Sequence, residues 1–299
     1  MTSSKRLCNL ASLGLLIVLV LTACGTLPRG LTLVPATLTP TPSPTPTATP
    51  IPLAVSVNGE GITVSEFEAE LARYQKAQTG LGNTVSLEAA TKAVSDEFID
   101  TLLLAQGAVS KGYQVDDAAL QSRMDSLATQ VGGLEALTAW ETDHGYTDAS
   151  FRSDLRRQMA AASMRDQLAA SVPTTAEQVH VKQILLGTAE AAQKALSELK
   201  AGWKFSDLAA KYDPVAKGEL GWFPRGYLSD QAIEAAAFAL QPDQYSAVIH
   251  STAGYDILFL VARDPARALS PDALLVLQEH AVQDWLTQQR SASTIIFAP

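Results

Sequence analysis

Three ordered blocks hold the residues best suited to chemistry: Gly218-Glu219-Leu220-Gly221-Trp222-Phe223-Pro224-Arg225-Gly226, then Ala235-Ala236-Ala237-Phe238-Ala239-Leu240, then Gly254-Tyr255-Asp256-Ile257. They join glycines and large apolar side chains to a few isolated polar groups, a mixture suited to apolar contact and hydrogen bonding. The usual patterns for bond-breaking chemistry are missing. His144, His180, His250 and His280 have no metal-ligand spacing with one another or with a cysteine pair, so neither a metal nor a cofactor is expected. No Gly-x-Ser-x-Gly turn, phosphate-binding loop or dinucleotide fingerprint occurs.

Over residues 179–264 these blocks resemble the core of the parvulin-type peptidyl-prolyl isomerases. The resemblance implies a small antiparallel sheet wrapped by helices and a reaction at X-Pro bonds. Two positions depart from the family pattern. Where the family usually has His-Ile-Leu and Gly-Tyr-His-Ile, this chain has Gln183-Ile184-Leu185 and Gly254-Tyr255-Asp256-Ile257. Carried over by motif, the proline pocket comprises Leu220, Leu228, Ile233 and Phe238, and the polar end comprises Gln183, Asp256 and Ser251, with Asp213 nearest to the family's Asp or Cys. The loop between Tyr212 and Gly218 is several residues shorter than usual. A Gln amide donates to a carboxylate, so Gln183 and Asp256 are expected to share a hydrogen bond across the strands where two imidazoles usually meet.

Prolyl isomerisation breaks no bond; it takes the amide through a twisted state against a barrier of roughly 18 to 20 kcal/mol. A pocket that holds the ring and desolvates the amide lowers that barrier, because the planar ground state gains more from water than the twisted one. His180 lies three residues before Gln183, an odd offset that points it to the opposite strand face. His250 adjoins Ser251 and is read as a solvated strand end, the alternative being an approach to the site. Trp222-Phe223 is open between core packing beneath the sheet and contact with a substrate chain.

The elements that must position these residues are legible in the spacing. Val179 to Leu186 alternates and then turns apolar, as a central strand does. Helices are expected from Thr188, from Phe205 and across residues 230–240, with strands at 220–223, 247–250 and 256–262. Upstream, Ala54-Val55-Ser56-Val57 is a short strand running into the turn dipeptide Asn58-Gly59. Ser65 and Glu68 have capping-box spacing, and Val94, Phe98, Leu102 and Phe151, Leu155, Met159 follow helical periods, so residues 65–172 read as helical. Ser270-Pro271-Asp272 opens a last helix, and residues 294–297 a terminal strand.

This upstream part is similar to the N-terminal region of SurA- and PrsA-type foldases, in Val57-Asn58-Gly59-Glu60, Gly132-Gly133-Leu134, Tyr146-Thr147 and Val172-Pro173-Thr174-Thr175. In that family the C-terminal tail returns to pack on the helical domain.

Lys5 and Arg6 precede an apolar run over residues 10–23, the layout of a secretory signal. The run closes on Leu21-Thr22-Ala23-Cys24, which resembles a bacterial lipobox, so Cys24 is the expected lipidation site. Residues 26–52 are rich in Thr and Pro and are expected to form an extended spacer. Losing the signal removes two basic residues and no acidic one, taking the formal charge from −9 to −11, which argues against nucleic-acid binding.

The resulting expectation is an α+β chain. Residues 1–23 are a signal, 24–53 a lipidated linker, 54–173 a helical SurA/PrsA-like domain, 174–265 a parvulin-like domain, and 266–299 a helix and strand packing back on the helical domain. Its function is expected to be that of a lipid-anchored extracytoplasmic foldase, a peptidyl-prolyl isomerase of weakened activity acting on unfolded exported proteins. The alternative is a non-catalytic chaperone whose parvulin domain has degenerated.

Overall fold

The computed structural model describes residues 52–298, so the expected signal, Cys24 and all but the end of the Thr/Pro-rich linker lie outside the described residues. The chain enters through β1 (Leu53–Val57), turns at Asn58-Gly59 and returns as β2 (Glu60–Thr63). Five helices follow: α1 (Val64–Gly80), α2 (Leu87–Ser110), α3 (Asp117–Val131), α4 (Leu134–Asp143) and α5 (Asp148–Ala170). The first starts earlier than the spacing predicts. Thr63, not Ser65, is its N-cap: the Thr63 hydroxyl accepts from the Glu66 amide at 3.2 Å, and the Glu66 carboxylate accepts from the Thr63 amide at 3.0 Å. Because β2 runs straight to Thr63, the residue leaving the strand is the one available to cap.

Helix α2 presents Val94, Phe98, Leu102 and Leu103 to β1 and β2, where Val55, Val57 and Ile62 are buried. Its next turn, Leu104 to Ala108, packs on Ala160, Ala161 and Met164 of α5.

Four strands and three helices follow in the order β3 (Thr175–Leu186), α6 (Ala189–Lys200), α7 (Phe205–Tyr212), β4 (Glu219–Pro224), α8 (Gln231–Ala239), β5 (Ile249–His250) and β6 (Tyr255–Ala268), the strands forming an antiparallel sheet in the order β4-β3-β6-β5. The capping residues Thr188 and Asp230 start α6 and α8. One sheet face carries Ile184, Leu186 and Ile257 under α6 and α7; the other carries Val179, Val181, Leu258 and Leu260 under α8. Strand β6 continues to Ala268, past the Ala262 expected from sequence, by pairing Arg267 with Ala176 across a register shift that accommodates Pro265. The buried Gln178 amide seals this extension by donating to the carbonyls of Arg267 and Ala268, each at 3.0 Å.

The chain then closes on its beginning. Helix α9 (Pro271–Ala292) lies on α2 and α5, and β7 (Ile295–Phe297) pairs antiparallel with β1. Arg290 donates to Asp100 at 2.7 Å and to Asp96 at 2.9 Å. Trp285 packs against both of the α2 clusters just described, and its ring fits because residue 107 of α2 has no side chain. A β-carbon on Gly107 would lie 2.7 Å from the indole. Gly107→Ala gains about 1 kcal/mol of helix propensity but overpacks the indole at a cost of about 1–3 kcal/mol. A net loss of roughly 1 kcal/mol in urea denaturation is therefore expected; a gain would show that Trp285 moves freely.

Candidate functional site

The face of the sheet under α8 collects the apolar residues assigned to the proline pocket. Ile233 and Phe238 on α8 are buried, and Leu220 and Leu228 pack against them in a cluster with Phe223, Leu258 and Leu260. Leu220 reaches this face because β4 bulges. Glu219 pairs with Lys182 and Gly221 with Val181, leaving Leu220 as the extra residue that a bulge re-aims. Phe238 meets Phe223 edge-on at 6.1 Å, and the Arg225 guanidinium lies 4.0 Å from the Phe238 ring centre. Arg263 closes the C-terminal end of α8 by donating to the carbonyls of Phe238 and Leu240, each at 2.8 Å.

The polar residues border the same face. In the register of β3 with β6, Gln183 opposes Leu258 and Leu185 opposes Asp256, so Gln183 and Asp256 share a face as diagonal neighbours. The hydrogen bond expected between them is not formed. Asp256, 2% exposed, turns instead to Ser251, whose hydroxyl donates to its carboxylate at 2.6 Å, and the Gln183 side-chain amide has no hydrogen-bond partner among the described residues. The tight turn from Ser251 to Asp256 brings the hydroxyl closer than the diagonal amide. Asp213 sits apart from this pair and shapes the loop after α7. Its carboxylate accepts from the amides of Val215, Ala216 and Gly218 at 3.2, 3.0 and 3.1 Å. Those bonds, that of Ala216 foremost, hold the Asp213 carboxyl below the usual range. Its link to the site runs through Gly218, whose carbonyl accepts from the Gln183 backbone amide at 2.7 Å.

Burial pushes the Asp256 carboxyl above the ordinary aspartate range against the pull of the Ser251 hydroxyl, with the charge of Asp230 adding to the rise. A raised value in the folded state means that protonation favours folding. The stabilisation is full below the ordinary aspartate value and is lost as pH rises through Asp256's own raised value. Asp256→Asn removes the charge and keeps an acceptor for Ser251. It is expected to be more heat-stable than the parent near pH 7 and to lose that margin as pH falls towards about 4. Thermal unfolding across that range checks the sign.

The remaining sequence-level candidates fall elsewhere. His180 faces away from the pocket, stacked on Trp222 at 5.3 Å and hydrogen-bonded to Glu219. His250 is exposed and tilts against Tyr255 at 5.0 Å. Phe223 is core at 1% exposure, whereas Trp222 lies on the far face under the Arg267 guanidinium at 4.3 Å. Two carboxylates near the start of α8 escaped the motif reading. Asp230 caps the helix and also accepts from the Thr252 amide at 2.9 Å, tying α8 to the turn that carries Ser251; Glu234 holds the loop before the helix. The only sequence signal for either was an acidic residue at a helix start.

Among the described residues no cluster of three or more His, Cys, Asp or Glu side chains is arranged to hold a metal ion. The helical part contains recesses of its own. A cavity of about 290 Å³ is lined by Glu66, Glu70, Arg73, Tyr146, Asp154 and Arg157, and a groove of about 650 Å³ runs past Ala105, Val109, Tyr113, Val115 and Ala160.

Comparison with known proteins places family patterns on both parts. A SurA-like N-terminal domain matches residues 12–165, just over half of the chain, and a PPIC-type PPIase domain matches residues 171–273. The foldase protein PrsA of Bacillus subtilis is 25% identical over 192 residues, covering 61% of this chain and 66% of the relative. The chaperone SurA of Methylobacillus flagellatus is 28% identical over 208 residues, covering 58% of this chain and 47% of the relative. The matched region thus spans about two thirds of the first relative and about half of the second. The crystal structure of peptidylprolyl isomerase (PrsA) from Bacillus cereus is 19% identical, covering 81% of this chain and 86% of that one, with a TM-score of 0.43.

Proposed function

Because the chain belongs to the family that joins a SurA-like N-terminal domain to a PPIC-type PPIase domain, we propose that it is a membrane-anchored extracytoplasmic foldase that isomerises X-Pro bonds in unfolded exported proteins. The observation that supports this reading is the apolar cluster in which Leu220, Leu228, Ile233 and Phe238 pack together on the sheet face that also carries Gln183 and Asp256, the latter bonded to Ser251. The pocket holds the proline ring and strips water from the amide, which costs the planar ground state more than the twisted transition state. With no imidazole pair, the polar edge orients the substrate through the Gln183 amide and the Ser251–Asp256 pair. Activity is accordingly weaker than the motif's usual form would give. Asp213 acts at one remove, by fixing the loop whose Gly218 carbonyl holds the Gln183 backbone.

The proposed anchor is lipid on Cys24, with the Thr/Pro-rich segment as spacer and the grooves of the helical part as the surface that receives unfolded clients. The proposed boundaries are those read from the sequence: signal 1–23, linker 24–53, helical domain 54–173, parvulin domain 174–265 and returning tail 266–299.

A second reading, a chaperone without catalysis, is favoured by the Gln183 side-chain amide's lack of a partner among the described residues and by the diversion of Asp256 to Ser251. Refolding of a client limited by one slow X-Pro step separates the two. Uncatalysed, that phase takes tens to hundreds of seconds. Acceleration by substoichiometric protein supports the enzyme; suppression of aggregation at stoichiometric levels, with the slow phase unchanged, supports the chaperone.

A further inference from the structure

The loop that presents Leu228 to the pocket is held from one side by a single carboxylate. Glu234, the residue directly after the two of α8 whose amides Asp230 caps, accepts from three consecutive backbone amides: Gly226 at 2.8 Å, Tyr227 at 3.1 Å and Leu228 at 3.1 Å. Three N–H groups converge on one anion only if the backbone curls round it, and Gly226 supplies that curl with φ +77°. From the other side the loop is backed by α9. A β-carbon on Gly226 would stand 3.2 Å from Leu277, so a larger residue there would push the loop off the helix. Ile233, the neighbour of Glu234, is buried in the pocket itself. One turn of helix therefore contributes a pocket wall and the anchor for the residue opposite it.

We propose that Glu234 is a positioning residue for prolyl isomerisation: it touches no substrate, and it fixes the backbone from which Leu228 closes on the proline ring. This rests on the reading of the apolar cluster as the proline site. Charge-assisted bonds from a carboxylate to backbone amides are about twice as strong as neutral ones. Glutamine at this position keeps one acceptor oxygen and turns an NH2 towards donors, so the loop opens. Displacing a substrate-positioning group by about 1 Å costs up to roughly 100-fold in rate.

The test uses the full-length chain and a tetrapeptide containing one Ala-Pro bond. Isomerisation is followed by exchange spectroscopy and binding by amide shifts of residues 226–228, with thermal unfolding as the folding control. Glu234→Gln is expected to lower kcat/KM by about 10- to 100-fold, mostly through KM, in protein that remains folded. Glu234→Asp, a carboxylate of shorter reach, is expected to fall between it and the parent. Once Leu228→Ala has removed the side chain being positioned, Glu234→Gln should cost little more, a non-additivity that a general loss of stability does not produce. Wild-type kcat/KM in Glu234→Gln, or a loss that adds in full to that of Leu228→Ala, overturns the proposal and leaves the proline site standing. If the parent binds the peptide without turning it over, the same comparison is read in affinity. A parent that neither binds nor isomerises it sinks both.

Discussion

Replacing Phe238 with alanine is expected to abolish isomerisation and to destabilise the protein by about 3–5 kcal/mol, the range for deleting a buried aromatic side chain. Phe238 is 5% exposed, meets Phe223 edge-on and underlies the Arg225 guanidinium, so its removal takes away core and, in the proposed function, the floor of the proline site together. Urea denaturation reads the stability and peptide exchange the activity. Leu228→Ala separates the two effects, because Leu228 lies on the half-buried rim. It should lose catalysis at a smaller cost in stability. If Phe238→Ala unfolds at the parental urea concentration, the cluster under α8 is not the core described above.

The second large effect is expected at Gly218→Ala. Gly218 has φ +70°, and a β-carbon there would lie 2.1 Å from the Gln183 carbonyl oxygen. The obstacle is backbone, so no side chain can swing away to relieve it. A non-glycine residue in the left-handed region costs of order 1–3 kcal/mol by itself, and here the loop must also leave β3. The Gln183 amide would then lose the Gly218 carbonyl, and Asp213 one of its three donors. A loss of about 3 kcal/mol or more is expected. Displaced amide signals at Gln183 and Gly218 should accompany it. Parental stability would mean that the close approach of loop and strand is not maintained in solution.

Gly218 also illustrates what could be read in advance. The glycine opens the most specific block of the sequence, and the structure supplies the reason: only a residue without a side chain fits against the Gln183 carbonyl. The capping residues Thr188 and Ser270 were visible because a short polar side chain before a periodic apolar run has one common use. Alternation in β3 and the period of α2 likewise gave their buried faces directly.

What escaped depended on partners distant in sequence or on competition between neighbours. Thr63 and Ser65 both have a glutamate three residues on, and spacing alone could not show that β2 would deliver Thr63 to the cap. Asp264-Pro265 looks like the end of a strand, yet β6 continues because Gln178, nearly ninety residues earlier, bonds the far side of its bulge. Gln183 and Asp256 were placed on the right face, but the choice of Asp256 between a diagonal amide and the hydroxyl of Ser251 was settled by the turn between residues 251 and 256. Asp230 and Glu234 act across space on the 252 and 226–228 backbones, contacts that no local pattern reports.

The proposed function requires an apolar site without a histidine pair to carry the isomerisation. The measurement that bears on it most directly is cis–trans exchange of one X-Pro peptide in the presence of the parent, Asp256→Asn and Leu228→Ala. The expected result is exchange above background with the parent, retained within a few-fold in Asp256→Asn and lost in Leu228→Ala. Exchange abolished by Asp256→Asn and spared by Leu228→Ala, or no exchange above background with folded parent protein, would contradict it.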